Sequence, residues 1–279
     1  MAVDLAPRDV QTTLNYHQPQ DQLPYYYVGC QPPAGMPVRN ICNEPHSAII
    51  HDARGKQDAF SLDISGFQWV NYPSAEKEFT DGERIKTVYY AEVEDVLKRY
   101  AGGAKKVFIF NHTIRRNPKP ETKPARLTAR GPAHIVHADQ SFAAAEQKVR
   151  ECLPDDAERL LKGRYQIINV WRPIGNNVAH DPLAAVDFRS IDVDVDLVPV
   201  RMIYPNRESG SYNVKYNPEH KWYYLSDQTP DEVMLLKCFD SDTDKARLAP
   251  HSAFPDGTGP ADAPHRQSIE VRALVFDRE

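Results

Sequence analysis

Apolar and polar positions alternate with period two over much of this chain, in short runs that end at Gly, Pro, Asn or Asp. SAIIHDA (47–53), FSLDIS (60–65) and FQWVNY (67–72) read as short strands separated by turns. KVFIFNHT (106–113) and AHIVHA (133–138) are further strands, as is YQIINVWRPI (165–174), which Pro173 stops. DVDLVPVRMIY, SYNVKYN, HKWYYLSD, EVMLLKCFD and the final SIEVRALVF (268–276) follow at close intervals. Helical spacing is confined to a few places. Residues 81–100 carry Ile85, Val88, Tyr89, Val93, Val96 and Leu97 on one face and stop at Gly102-Gly103, and two shorter helices are expected at 140–152 and 155–163. Helices do not alternate regularly with strands, so a parallel βαβ sheet is excluded. The pattern predicts a mainly β protein with peripheral helices, built as a double-sheet sandwich or jelly roll.

The 279 residues suffice for one large domain. The expected organisation is a single domain over 1–279, with an N-terminal arm over 1–45 and a jelly-roll core with flanking helices over 46–279. The first 24 residues are polar and Pro/Gln-containing, which suggests a segment lying across the surface. PYYYVG (24–29) places three tyrosines in a row; alternate rings face opposite sides of an extended segment, so Tyr26 is a candidate for lining a pocket, against simple packing of the arm.

Composition changes the picture only by exclusion. A net charge of −5 argues against nucleic acid as a partner, and the most basic stretch, Arg115 to Arg130, is Pro-rich and reads as a solvated loop. No secretory signal and no apolar run of membrane-spanning length occurs. The four cysteines have no metal-ribbon spacing and are expected to be reduced thiols, consistent with a cytoplasmic monomer or homodimer. No GxSxG, P-loop or GxGxxG pattern is present, which leaves hydrolase, NTPase and dinucleotide readings without support.

Candidate chemistry begins at AHIVHADQS (133–141). On a strand, residues i and i+2 face the same side, so His137 and Asp139 present an imidazole and a carboxylate together. His251, in LAPHSAFP, is the strongest candidate for a third ligand. Two histidines and one carboxylate on one face of an ion form the facial triad of non-haem Fe(II) oxygenases. Fifteen residues after His251, Arg266 and Ser268 open the last strand and offer a guanidinium and a hydroxyl suited to a carboxylate; Arg272, on the same face, is the rival. Within INVWRPI, Asn169 and Trp171 share one face and Arg172 takes the other. Asn169 is a candidate for bonding a cosubstrate, and Trp171 and Arg172 for contacting substrate, against a core Trp and a structural ion pair. His134 faces away from His137 on a regular strand, so packing competes with a substrate contact there. Asp192, Asp194 and Asp196 alternate on one face and read as a solvent-facing edge strand, since the spacing of a calcium loop is missing.

The ordered set HxD, distant His and RxS, together with FSLDISGFQWV, NHTIRRN, VHADQS, INVWRPI, APHSAF and RQSIEVRALVF, resembles the Fe(II)/2-oxoglutarate-dependent oxygenases. The resemblance is to the fungal and bacterial hydroxylase/desaturase group that includes gibberellin desaturase and the CmcJ-like proteins, and it spans roughly residues 60–276. It implies a double-stranded β-helix core and iron held by His137, Asp139 and His251. It also implies 2-oxoglutarate and O2 as cosubstrates, an Arg of the last strand on the far carboxylate, and hydroxylation or desaturation of a small molecule with succinate and CO2 as coproducts. Two alternatives remain open: a cupin-type metalloenzyme without 2-oxoglutarate, for which Arg266 would be dispensable, and a non-catalytic jelly-roll binding protein.

Overall fold

The computed structural model describes residues 8–116 and 131–279; the basic stretch from Arg115 to Arg130, expected to be a solvated loop, therefore falls mostly outside the described residues. Fourteen strands are present among these residues: β1 (Val10–His17), β2 (Tyr25–Tyr27), β3 (Asn43–Asp52), β4 (Phe67–Asn71), β5 (Lys106–Arg115), β6 (His137–Ala138), β7 (Tyr165–Pro173), β8 (Leu183–Val186), β9 (Leu197–Ile203), β10 (Glu208–Val214), β11 (Trp222–Tyr224), β12 (Glu232–Asp240), β13 (His251–Ala253) and β14 (Ser268–Phe276). Nine form one sheet in the order β1-β3-β11-β8-β13-β6-β10-β9-β2, and five form another in the order β4-β12-β7-β14-β5. The two sheets make a jelly-roll core. Phe67, Trp171, Met234 and Leu236 from the smaller sheet pack against Leu183 and Ala185 from the larger.

The period-two pattern decides what each residue of the smaller sheet faces. Ile168 and Val170 of β7 and Val271, Ala273 and Val275 of β14 point outward, under a helix, whereas Asn169, Trp171, Glu270 and Arg272 point between the sheets. That helix begins as α1 (Gly82–Arg84), continues through a π-helical turn at Ile85–Tyr89 and runs on as α2 (Tyr90–Tyr100). Asp81 caps its start by accepting from the Glu83 and Arg84 amides, and Val93, Val96 and Leu97 supply the buried face. α3 (Phe142–Cys152), capped by Ser141, and α4 (Ala157–Leu160) cover Ile167, Phe239, Leu274 and Phe276 at the other end.

Several expectations fail for identifiable reasons. Val10–His17 is not a surface arm: β1 pairs antiparallel with β3, and Leu14 and Tyr16 are buried. FSLDIS is a run of turns with Gly66 at φ 82°, where a Cβ would meet the Leu248 carbonyl oxygen at 2.7 Å. Residues 191–196 form a turn, not an edge strand. Asp192 Oδ1 accepts from the Asp194 and Val195 amides, and buried Asp196 accepts from His220 Nε2 at 3.0 Å. β8 went unforeseen because all four of its residues are buried, so it carries no alternation.

Candidate active site

His137 and His251 meet because their strands pair. β6 and β13 are antiparallel with His137 directly opposite His251, and the ring centroids are 4.4 Å apart. AHIVHA yields only a two-residue strand, yet this one register contact suffices. Each imidazole is oriented by its own backbone: His137 Nδ1 lies 2.7 Å from the Ile135 carbonyl oxygen and His251 Nδ1 lies 3.1 Å from that of Ala249. A carbonyl only accepts, so Nδ1 carries the proton in both rings and Nε2 keeps its lone pair free for a metal. Asp139 Oδ1 lies 3.5 Å from His137 Nε2, and ligand atoms from His137, Asp139 and His251 all lie within 4.8 Å of one another. Two imidazoles and one carboxylate form a donor set that suits a divalent non-haem iron.

The second Asp139 oxygen is held from the smaller sheet. Asn169 Nδ2 donates to Oδ2 at 2.8 Å, and Arg272 Nε does so at 3.4 Å. Burial opposes ionisation of Asp139, but the Arg272 charge and the two histidines hold its carboxyl well below the usual carboxylate range. Burial also opposes protonation of His137, but its hydrogen bond with Asp139 and that residue's charge prevail and raise its pKa. His251 is pushed down to about 4 by burial and by its neighbour His137, which leaves it neutral at physiological pH.

The cavity over the triad is lined by Trp171 of β7, by Arg266, Glu270 and Arg272 of the last strand and its approach, by Arg115, and by the apolar residues Ala133, Leu183 and Ala253. The two candidate arginines differ in their partners. Arg272 is fully engaged: it pairs with Glu270 and donates to Thr113 Oγ1 at 3.0 Å. Arg266 is 4% exposed, donates Nη1 to the Asp181 carbonyl and places its guanidinium carbon 5.5 Å from the Trp171 ring centroid. Its Nε is buried without a hydrogen-bond partner among the described residues. Burial, and then the charge of Arg115, push Arg266 down to about 10. A buried cation with an unused donor beside the triad fits an incoming carboxylate.

Other candidates are placed differently from the sequence expectation. Arg266 precedes the last strand, and both arginines reach one cavity. The two long side chains converge there although six residues separate them along the chain. Ser268 is buried opposite Pro173 and Arg115 and is absent from the cavity lining. Asn169 meets Asp139 rather than an open space. Arg172 points outward with Ile168 and Val170, where it donates to the Pro230 carbonyl at 2.5 Å, the Tyr72 carbonyl at 2.7 Å and Tyr89 Oη at 3.2 Å; it is a structural tie and not a substrate contact. Tyr26 lies on the outermost strand β2, beside β9 and away from the cavity. His134 Nε2 lies 3.3 Å from Asp181 Oδ1, so it braces the residue that holds Arg266 rather than lining the cavity. Glu270 also lines the cavity; it alternates with Ser268 and Arg272 on one strand face, so the period-two rule reaches it. Arg115, expected to be solvated, lines the cavity mouth.

Comparison with known proteins gives the same answer as the geometry. The family described as "Oxidoreductase/YMDC permease-like domain" matches residues 14–276. The chain is 39% identical over 249 residues to the hydroxylase/desaturase efuI of Hormonema carpetanum, covering 82% of each. It is 37% identical over 257 residues to the hydroxylase/desaturase CTB9 of Cercospora beticola, covering 84% of this chain and 77% of that one. A solved structure of the iron and alpha-ketoglutarate-dependent endoperoxidase NvfI superposes with a TM-score of 0.84 at 33% identity, covering 96% of this chain and 98% of the other. The corresponding Fe(II)/2-oxoglutarate-dependent dioxygenase nvfI of Aspergillus novofumigatus is 34% identical over 260 residues, covering 90% of each. Among the described residues no helix is long and apolar enough to cross a membrane. A match across nearly the whole chain, joined to a His-Asp-His cluster beside a buried arginine, places this protein in that oxidoreductase family, among the Fe(II)/2-oxoglutarate-dependent hydroxylases and desaturases.

Proposed function

We propose that the protein hydroxylates or desaturates a small specialised metabolite, with His137, Asp139 and His251 holding Fe(II) and Arg266 holding the far carboxylate of 2-oxoglutarate. The observation that carries this reading is the buried triad with both Nε2 atoms freed by backbone hydrogen bonds, next to an arginine with an unused donor. Bound iron with 2-oxoglutarate supplies activation of O2 for attack on an unactivated C–H bond. The overall balance is substrate, O2 and 2-oxoglutarate going to hydroxylated substrate, succinate and CO2; in desaturation the alkene and water replace the alcohol.

The chain's own residues orient and exclude. His137, Asp139 and His251 would hold Fe(II) from one side, so that cosubstrate and O2 could approach it from the other. Trp171 forms an apolar wall against which a substrate can lie, and its ring also stacks near Arg266. Ala133, Leu183 and Ala253 give the cavity an apolar side that limits competition from water there. Arg115 at the mouth favours substrates that carry an acceptor or negative charge at that end.

The test is anaerobic titration of the metal-free protein with Fe(II) and 2-oxoglutarate, followed by succinate assay in air with candidate metabolites. The expected signature is a weak visible charge-transfer band in the wild type that vanishes in His137→Ala. An unchanged band in that variant, or turnover of a substrate with no succinate formed, removes the reading. The second outcome would favour a jelly-roll metalloenzyme that uses no 2-oxoglutarate.

A further inference from the structure

The Asp139 oxygen that faces away from the imidazoles is held by two donors with no part in the scheme above. Asn169 and Arg272 are directly opposite one another on β7 and β14, and both reach Asp139 Oδ2, at 2.8 and 3.4 Å. Strand register therefore delivers two N–H groups to one carboxylate oxygen from across the gap between the sheets. Asn169 is fully buried, and its own Oδ1 finds no partner among the described residues. An amide that commits its NH2 to a carboxylate while its carbonyl stays unmatched is placed for that one contact, not for general packing.

We infer that Asn169, supported by Arg272, is a positioning residue that keeps Asp139 a one-oxygen ligand. The inference rests on the reading of His137, Asp139 and His251 as the metal site. With Oδ2 committed to two donors, only Oδ1 turns toward the histidines. If Oδ2 were released, the carboxylate could chelate through both oxygens and fill a position that cosubstrate or O2 requires. The two donors contribute differently. Arg272 also pairs with Glu270, so its charge serves both carboxylates. Asn169 is neutral and contributes direction alone, so replacing it changes the hold on Oδ2 without changing the local charge.

Cobalt(II) is the probe, because its visible absorption weakens as coordination number rises and needs no turnover. In Asn169→Leu the Co(II) band should weaken, and 2-oxoglutarate, followed through that band, should bind roughly 10- to 100-fold more weakly. Asn169→Ser provides the same reading if the Leu variant does not fold. Either folded variant showing the wild-type Co(II) spectrum and wild-type 2-oxoglutarate affinity overturns the clamp. A merely structural role would lower the melting temperature and leave the spectrum alone, which also overturns it. Combining Asn169→Leu with Asp139→Ala separates the routes: the spectral effect of the Leu change should disappear in that background, and its persistence would show that it does not act through Asp139. Failure of the wild type to bind Co(II), or equal binding by His137→Ala, would instead strike the triad reading on which the clamp depends.

Discussion

Replacing Arg266 with methionine separates two energies that the structure sets against each other. In the ligand-free protein the guanidinium is 4% exposed and has a backbone carbonyl, not a carboxylate, as its hydrogen-bond acceptor. The drop from an ordinary 12.5 to about 10 corresponds to about 3 kcal/mol against its charged form. A methionine of similar reach removes that penalty, so the ligand-free variant should melt no lower than the wild type. The cosubstrate should suffer the opposite effect. Losing a buried, charge-assisted pair costs about 2–5 kcal/mol, which corresponds to roughly 30-fold to several thousand-fold in Kd. The assay is anaerobic calorimetry of 2-oxoglutarate binding to metal-loaded protein, run beside thermal melts with and without the cosubstrate. The wild type should gain about 2.7 kcal/mol of stability at a hundredfold excess over Kd, and the variant should gain less than about 1 kcal/mol at that concentration. If Arg266→Met binds 2-oxoglutarate as tightly as the wild type while Arg272→Met loses it with metal affinity intact, the assignment is wrong and the far carboxylate belongs to Arg272.

Three further outcomes follow from other contacts. His137 is protonated in the metal-free protein at a higher pH than a free histidine, because Asp139 outweighs burial, and an incoming metal must displace that proton. Apparent metal affinity should thus fall about tenfold per pH unit below that raised pKa, with about one proton released on binding in calorimetry run in two buffers; an affinity independent of pH on the acid side refutes it. In the metal-free fold the same shift is stabilising on the acid side and fades as pH rises through the raised value. Arg172→Ala should destabilise the fold by about 3 kcal/mol in urea melts, because it strands one buried and two half-buried acceptors, while 2-oxoglutarate affinity stays unchanged; an activity loss without destabilisation would return Arg172 to the active site. Trp171→Ala removes the wall shared by Arg266 and substrate, so succinate formation should become uncoupled from product; a coupling ratio equal to the wild type would show that substrate does not lie against that ring.

Most of the strands and the helix over residues 81–100 were legible because burial on one face imposes a period on the sequence, and period survives without coordinates. The same rule correctly put Arg172 on the face opposite Asn169 and Trp171, although it could not say that this face lies under a helix. His137 and Asp139 were legible as a local pair. His251 was legible only through the order of motifs, since its union with His137 is a register fact between two very short strands, 114 residues apart by numbering. What the sequence alone left open was decided by packing between the sheets. Ser268 and Arg266 look like one carboxylate site in sequence, but Ser268 is buried beside its strand neighbours whereas Arg266 reaches the cavity. Arg272 and Arg266 look equivalent as side chains. Glu270 and Asp139 neutralise the first, and the second is left buried with an unused donor, a difference made entirely by which residues the fold brings within reach. The sequence offers Asn169 as a cosubstrate contact because it gives the residue's face and not its neighbour. Alternation along a strand sets the direction of a side chain; only the opposing sheet determines what it meets there, and here it meets Asp139.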